Sequence, residues 1–260
     1  MTRIARKKVL AVGFLLATLA AHAGPPLTLP PATPVTNLTF VAFDTETTGL
    51  DSTTARIVEI AAVKFRGSRV LDRQCWLINP GIPIPESARR IHGLSDAMVS
   101  NSPPFATVLP PFRDFTDGCV LLAHNAGFDR RFVAAELKRS DLAAPCAPLL
   151  DSLALFKAWF PGKRSFALES LASELLPGLT NGLPAPTQGE RTNRFHTAGW
   201  DADCLMALFV KGSTNLPAGA TLGDLLRLTG GAYAFGTARR QWRPAVGQSS
   251  SDAAPDELAP

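Results

Sequence analysis

Apolar positions along this chain fall into two regimes. Residues 38–43 (LTFVAF), 57–65 (IVEIAAVKF) and 70–78 (VLDRQCWLI) are compact apolar or alternating runs of strand length, and Asn79-Pro80-Gly81 closes the third as a turn. Three strands in series with short connections predict a meander. The period then lengthens. Residues 85–91 and 105–115 read as helical, the second interrupted by Pro110-Pro111. Residues 120–123 (VLLA) form a buried strand, and 128–139 (FDRRFVAAELKR) an amphipathic helix. A very short fifth strand at 149–150 runs into a helix at 152–160, stopped by Pro161-Gly162. Further helices are expected over 166–176 and 198–211, with a short one at 221–228. Strands followed by alternating helix and strand predict an α/β layer architecture with a mixed five-stranded sheet.

Composition narrows the class. With 260 residues, 46% hydrophobic and 18% charged, the chain is neither a disordered tail protein nor a disulfide miniprotein, and one sizeable globular domain fits. The net charge of +4 invites a reading as a basic, nucleic-acid-seeking protein, but its position argues otherwise. Arg3, Arg6, Lys7 and Lys8 carry the whole excess, and no acid occurs before Asp44. An uncharged apolar run, residues 9–21, follows them, then Ala21-His22-Ala23: a basic region, a short hydrophobic region and an A-x-A cleavage site, the pattern of a signal peptide over residues 1–23. A membrane span needs about 20 apolar residues, so no stable membrane insertion is expected after processing. Removing residues 1–23 leaves basic and acidic side chains equal at 22. The expectation is a periplasmic or secreted protein; the alternatives are a cytoplasmic protein with a misplaced start, or one anchored in the inner membrane. Residues 24–37 read as a Pro-rich linker, 38–211 as the catalytic domain, and 212–260 as an extension ending in a partly disordered tail.

Cys75, Cys119, Cys146 and Cys204 show no metal-binding spacing. In an exported chain they allow three disulfide pairings, Cys119–Cys146 among them if the strands they precede are parallel neighbours. Four unpaired, core-filling cysteines are the other reading.

Candidate chemistry begins where the first strand ends. Asp44-Thr45-Glu46 sets two carboxylates two residues apart, on one face of a strand. Two acids converging at the end of a buried strand need a cation or a proton between them, and hard divalent ions with oxygen ligands suit that need. Thr47-Thr48-Gly49-Leu50 adds hydroxyls and a glycine turn. Asp129 falls in the first turn of a helix, where a carboxylate is also a common purely structural choice. His196 precedes Asp201 by five positions, too far round to share a helix face. The spacing predicts His196 on the loop before the helix, with Asp201 on its inward face.

Taken in order, these elements resemble the DEDDh family of 3′-to-5′ exonucleases, of RNase H-like fold. The blocks FDTETTGL, IVEIAAVKF, IHGLSD, LLAHNAGFDRRF, DSLALFKAWFPGKRS and HTAGWDAD carry the resemblance over residues 39–211. Within the family they are most similar to the proofreading (epsilon) subunit of bacterial DNA polymerase III. The resemblance implies two Mg²⁺ or Mn²⁺ ions held by Asp44, Glu46, Asp129 and Asp201, with His196 as general base. It implies hydrolysis of single-stranded nucleic acid from 3′ ends, DNA over RNA, to nucleoside 5′-monophosphates. Thr47, Leu50, His92 and Phe128 would line the terminal-nucleotide site, although Ile91-His92-Gly93 equally reads as a helix-ending turn. Residues 177–195 form a long Pro/Gly-rich connection, expected as a flap with Arg194 against phosphate or as a plain solvent loop. Two other readings stand beside this one: a catalytically silent nucleic-acid-binding module, and a cytoplasmic proofreading or repair accessory that binds a polymerase through residues 212–260. The oligomeric state is not encoded in any motif.

Overall fold

The computed structural model describes residues 29–180, 197–235 and 241–242. The stretch read as a signal peptide (residues 1–23), residues 181–196 with Arg194 and His196, and the expected C-terminal tail, residues 247–260, lie outside the described residues.

The meander forms as the pattern predicts. Strand β1 (Phe40–Thr47) pairs antiparallel with β2 (Ile57–Arg66), which pairs antiparallel with β3 (Arg69–Leu77). β1 and β2 are buried almost throughout, whereas β3 is an exposed edge. β4 (Val120–Ala123) lies parallel to β1 on its other side, and β5 (Leu149–Asp151) parallel to β4. Where five strands are expected, the sheet has seven among the described residues: two-residue strands β6 (Ala232–Tyr233) and β7 (Gln241–Trp242) extend it beyond β5 in the order β3-β2-β1-β4-β5-β6-β7. Elements this short carry no periodicity, so pairing alone defines them.

Helices cover both faces. Odd positions of β1, Val41 and Phe43, enter one core with α3 (Phe105–Thr116) and α4 (Gly127–Ser140). Even positions, Phe40 and Ala42, enter the other with α5 (Ser152–Trp159), α6 (Leu168–Leu175), α8 (Ala198–Ser213) and α9 (Leu222–Thr229). The two-residue side-chain period of a strand thus feeds two separate cores. Three short helices, α1 (Glu86–His92), α2 (Asp96–Val99) and α7 (Pro177–Thr180), are the other α-helices among the described residues; α2 and α7 are too short for the pattern to reveal.

Helix α3 is not interrupted at Pro110-Pro111; it runs through both. Each proline deprives the carbonyl four residues earlier, on Ala106 and Thr107, of its partner. Those residues are exposed and open to water, while Phe105, Val108, Leu109, Phe112 and Phe115 are buried, so apolar burial outweighs two hydrated carbonyls.

The chain ends of the domain also differ from expectation. In the stretch read as a linker, Val35 N–H bonds Ala220 O, while Pro31 O and Thr33 O accept from Gly223 N–H and Leu222 N–H. Leu222, Leu225, Leu226 and Ala232, within the stretch set apart as an extension, are buried in the second core. The described parts of both segments therefore belong to the folded unit. All four cysteines are free: β4 and β5 are parallel neighbours, yet Cys119 is buried and Cys146 exposed, with no bridge between them. No helix among the described residues is long and apolar enough to cross a membrane.

α8 and α5 approach closely at Gly212, where an added Cβ would collide with the Trp159 ring. Gly212→Ala is expected to lower stability by about 1–3 kcal/mol, the usual penalty for overpacking, measurable by urea denaturation. An unchanged midpoint would mean that the two helices can separate freely here.

Candidate active site

The parallel strands β1, β4 and β5 end on the same side of the sheet, and β1 and β4 leave in opposite directions from there. Crevices outside such carboxyl ends are where open α/β sheets bind ligands. The acidic residues gather at this edge.

Asp44 and Glu46 lie on the face of β1 that α8 covers, and a register shift after Glu46 bends the strand at that point. Thr197 caps α8, and Asp201 N–H bonds Thr197 O in the first turn. One carboxylate oxygen from each of Asp44, Glu46 and Asp201 lies within 4.8 Å of the others. The expected inward face of Asp201 is thus observed, while His196, one residue before the cap, lies outside the described residues.

Asp129 is not part of that trio. It is 2% exposed in the first turn of α4, and its Oδ1 accepts a hydrogen bond of 2.7 Å from the Thr45 hydroxyl. Thr45 lies on the opposite face of β1 from Asp44 and Glu46, so the strand delivers its D-T-E triplet to two partners at once. The loop leading to Asp129 is held by Asp151 at the end of β5, whose Oδ1 accepts from Ala126 N–H and from Leu153 N–H, where it also caps α5. Asn125 in that loop has φ 57°, a conformation asparagine tolerates better than most residues.

The electrostatics follow from this crowding. Burial pushes the Asp44 carboxyl well above the usual carboxylate range, and the charges of Asp129, Asp201, Glu46 and Glu59 push it further. Burial also pushes Asp129 up to about 7, against the opposing pull of the Thr45 hydrogen bond. Carboxylates crowded this closely and shielded from water call for a compensating cation. A hard divalent ion at the trio supplies one, and three acidic oxygens at this spacing are the donor type such ions take. The residues therefore fit a divalent metal.

The other expected contacts divide. Leu50 is 82% exposed at the tip of the loop after β1. Thr47 Oγ1 donates to Gly49 O, and Thr48 N–H to Arg56 O, which stiffens that loop. It is further clamped from α4: buried Glu136 takes a two-pronged bond from Arg56, and Arg139 donates to the carbonyls of Ser52 and Thr53. Phe128 is partly buried against Phe132. His92 is 2% exposed, and its Nδ1 accepts from Leu94 N–H beside Gly93 in the left-handed region, the geometry of a helix-ending turn.

A family model described as exonuclease, RNase_T, matches residues 41–209. The chain belongs to this exonuclease family. The exonuclease is 36% identical over 175 residues to DNA polymerase III subunit epsilon of Treponema pallidum, covering 66% of this chain and 75% of that protein. It is 37% identical over 133 residues to a PolC-type DNA polymerase III of Caldanaerobacter subterraneus, covering 51% of this chain but only 9% of the polymerase. Among solved structures, Exonuclease X in complex with 5′-overhanging duplex DNA superimposes with TM-score 0.55 at 26% identity, over 73% of this chain and 99% of that one. A zinc-bound E. coli ExoI–ssDNA complex superimposes with TM-score 0.57 at 18% identity, over 73% and 43% respectively, a likeness of fold. The expected RNase H-like architecture is the one the exonuclease has.

Sequence reasoning passed over Glu59, Glu136, Thr45 and Asp151. Glu59 and Glu136 are 3% and 0% exposed acids. A single acid inside an otherwise apolar strand, as in IVEIAAV, is the signal that marks Glu59.

Proposed function

We propose that this exonuclease removes nucleotides one at a time from single-stranded 3′ ends, DNA in preference to RNA, releasing nucleoside 5′-monophosphates. The observation that carries this reading is the convergence of Asp44, Glu46 and Asp201 within 4.8 Å at the carboxyl end of β1. Asp44, Glu46 and Asp201 would hold one Mg²⁺ or Mn²⁺, and Asp129 would help to hold a second beside Asp44. When bound, such ions neutralise phosphate charge and acidify water. The chain's own groups do the rest. The stiffened loop after β1 presents Leu50 to the terminal base, and Phe128 at the start of α4 offers a second apolar surface. His196 takes the proton from the attacking water at a ring nitrogen, which requires a neutral imidazole.

The deciding experiment follows 3′-labelled and 5′-labelled single-stranded DNA and RNA in Mg²⁺, Mn²⁺ or EDTA. Mononucleotides released in metal and none in EDTA are expected; internal fragments, or turnover in EDTA, would sink the mechanism. His196→Ala is expected to lower kcat on the order of 10²–10³-fold, with the loss of the acidic limb of the pH–rate profile. A variant that keeps that limb would remove the proton-acceptor role from His196.

Export is the second part of the proposal, supported by the residue 1–23 pattern. N-terminal sequencing of the purified protein should begin at Gly24; an intact Met1 would overturn it.

A further inference from the structure

Glu59 is a buried carboxylate that the proposed chemistry does not use. The antiparallel register sets it directly opposite Glu46 on the same face, yet it lies outside the trio of converging oxygens. A fourth acid beside three others adds repulsion, so its presence calls for a compensating task. Both of its oxygens are engaged elsewhere. Oε2 accepts from Ala198 N–H at 3.2 Å, and Oε1 accepts from the Cys75 thiol at 3.3 Å.

Ala198 is the first residue of α8, three positions before Asp201. The first turn of a helix has N–H groups without helical partners, and a carboxylate there is favoured by both the hydrogen bond and the helix dipole. Here that carboxylate comes from another strand and fastens the start of the helix to the sheet. β3 supports the same join from the far side: Cys75 holds Glu59, and Arg73, two residues away, bonds Asp203 of α8 at 3.0 Å. The start of α8 is thus tied to β2 and β3, whereas Asp44 and Glu46 belong to β1. Where Asp201 stands relative to them depends on that tie.

We propose that Glu59 is a positioning residue, which fixes the first turn of α8 so that Asp201 completes the carboxylate trio. This rests on the reading of Asp44, Glu46 and Asp201 as metal holders. Groups that orient metal ligands typically change metal affinity or activity by about 10–100-fold when removed.

The test is Mn²⁺ binding by the full chain, followed by calorimetry and by the electron paramagnetic resonance of free Mn²⁺. Glu59→Met fills the same space without an acceptor, and Glu59→Gln keeps an acceptor oxygen without the charge. Glu59→Met is expected to raise the Mn²⁺ Kd about tenfold or more, while Glu59→Gln recovers most of the wild-type affinity. Ala198→Pro removes the donor from the other end of the same bond at a position where proline suits a helix, and is expected to weaken Mn²⁺ binding as Glu59→Met does. Circular dichroism in EDTA establishes that each variant is folded. Should Glu59→Met fail to fold, Ala198→Pro and Glu59→Gln decide the matter alone. Wild-type affinity in Glu59→Met or Ala198→Pro would overturn the proposal, as would a Glu59→Gln variant as weak as Glu59→Met, since charge and not the bond would then matter. Wild-type protein that binds no Mn²⁺ would instead overturn the metal-site reading, and Asp44→Asn serves as the control for that outcome.

Discussion

Asp44→Asn is expected to lose activity on the order of 10⁴-fold while its metal-free form melts at a higher temperature than the wild type. The two effects have one cause. Asp44 lies at the middle of the acidic group, where burial and four neighbouring acids already hold its carboxyl well above the usual range. An amide of the same shape cannot ionise, so folding of the empty site no longer has to neutralise or bury that charge among the other acids. The same amide is a poor ligand for a hard cation, and the loss of one of three converging oxygens leaves the phosphate charge uncompensated in the transition state. Rates on labelled single-stranded DNA and melting curves in EDTA measure the two sides separately. Activity within about tenfold of wild type, a difference of only about 1.4 kcal/mol in barrier, would place the chemistry elsewhere. A fall in the EDTA melting temperature would mean that Asp44 is structural.

Metal removal is expected to make stability strongly dependent on pH, and the sign is set by Asp129. Its carboxyl titrates near 7 in the folded protein against 3.8 for the ordinary value. Between those limits the folded state keeps a proton that the unfolded chain has released, so folding is favoured at low pH and weakens as pH rises through about 7. The shift corresponds to roughly 4 kcal/mol, or on the order of 10 °C in melting temperature for a chain of this size. Asp44, raised in the same sense, adds to it. Bound Mg²⁺ or Mn²⁺ takes the place of those protons, so its stabilisation should be largest above pH 7 and small near pH 5. Melting curves across that range, with metal and with EDTA, decide it. Asp129→Asn should flatten the EDTA curve; a wild-type EDTA curve that is flat, or that rises with pH, would contradict the assignment.

Most elements could be read from the residues because their signals are local. The apolar first half of β1, the all-apolar β4 and the amphipathic α4 declare their periods over a few residues, and the five expected strands and seven expected helices stand close to where those periods place them. Asp44 and Glu46 share a face for the same reason, since a strand's alternation is fixed by its own backbone. Errors arose where an element is stabilised by remote contacts. Pro110-Pro111 signals a break, but burial of Phe105 and Phe112 keeps α3 whole. Proline and threonine in residues 24–37 signal a linker, but hydrogen bonds from Val35 and Leu222 join the described part of that stretch to the start of α9.

The sequence by itself therefore determined the order of strands and helices, the family, and which acids are candidates. It could not determine which oxygens converge. Asp44 and Asp201 are far apart in the chain, and their distance depends on how α8 packs across β1 and β2. That packing sets Asp201 with Asp44 and Glu46 and turns Glu59 toward the Ala198 N–H, while α4 on the other face seats Asp129 on the Thr45 hydroxyl. A residue's type states which bonds it can make; only the tertiary structure, by deciding which partners come within about 3 Å, states which it does make.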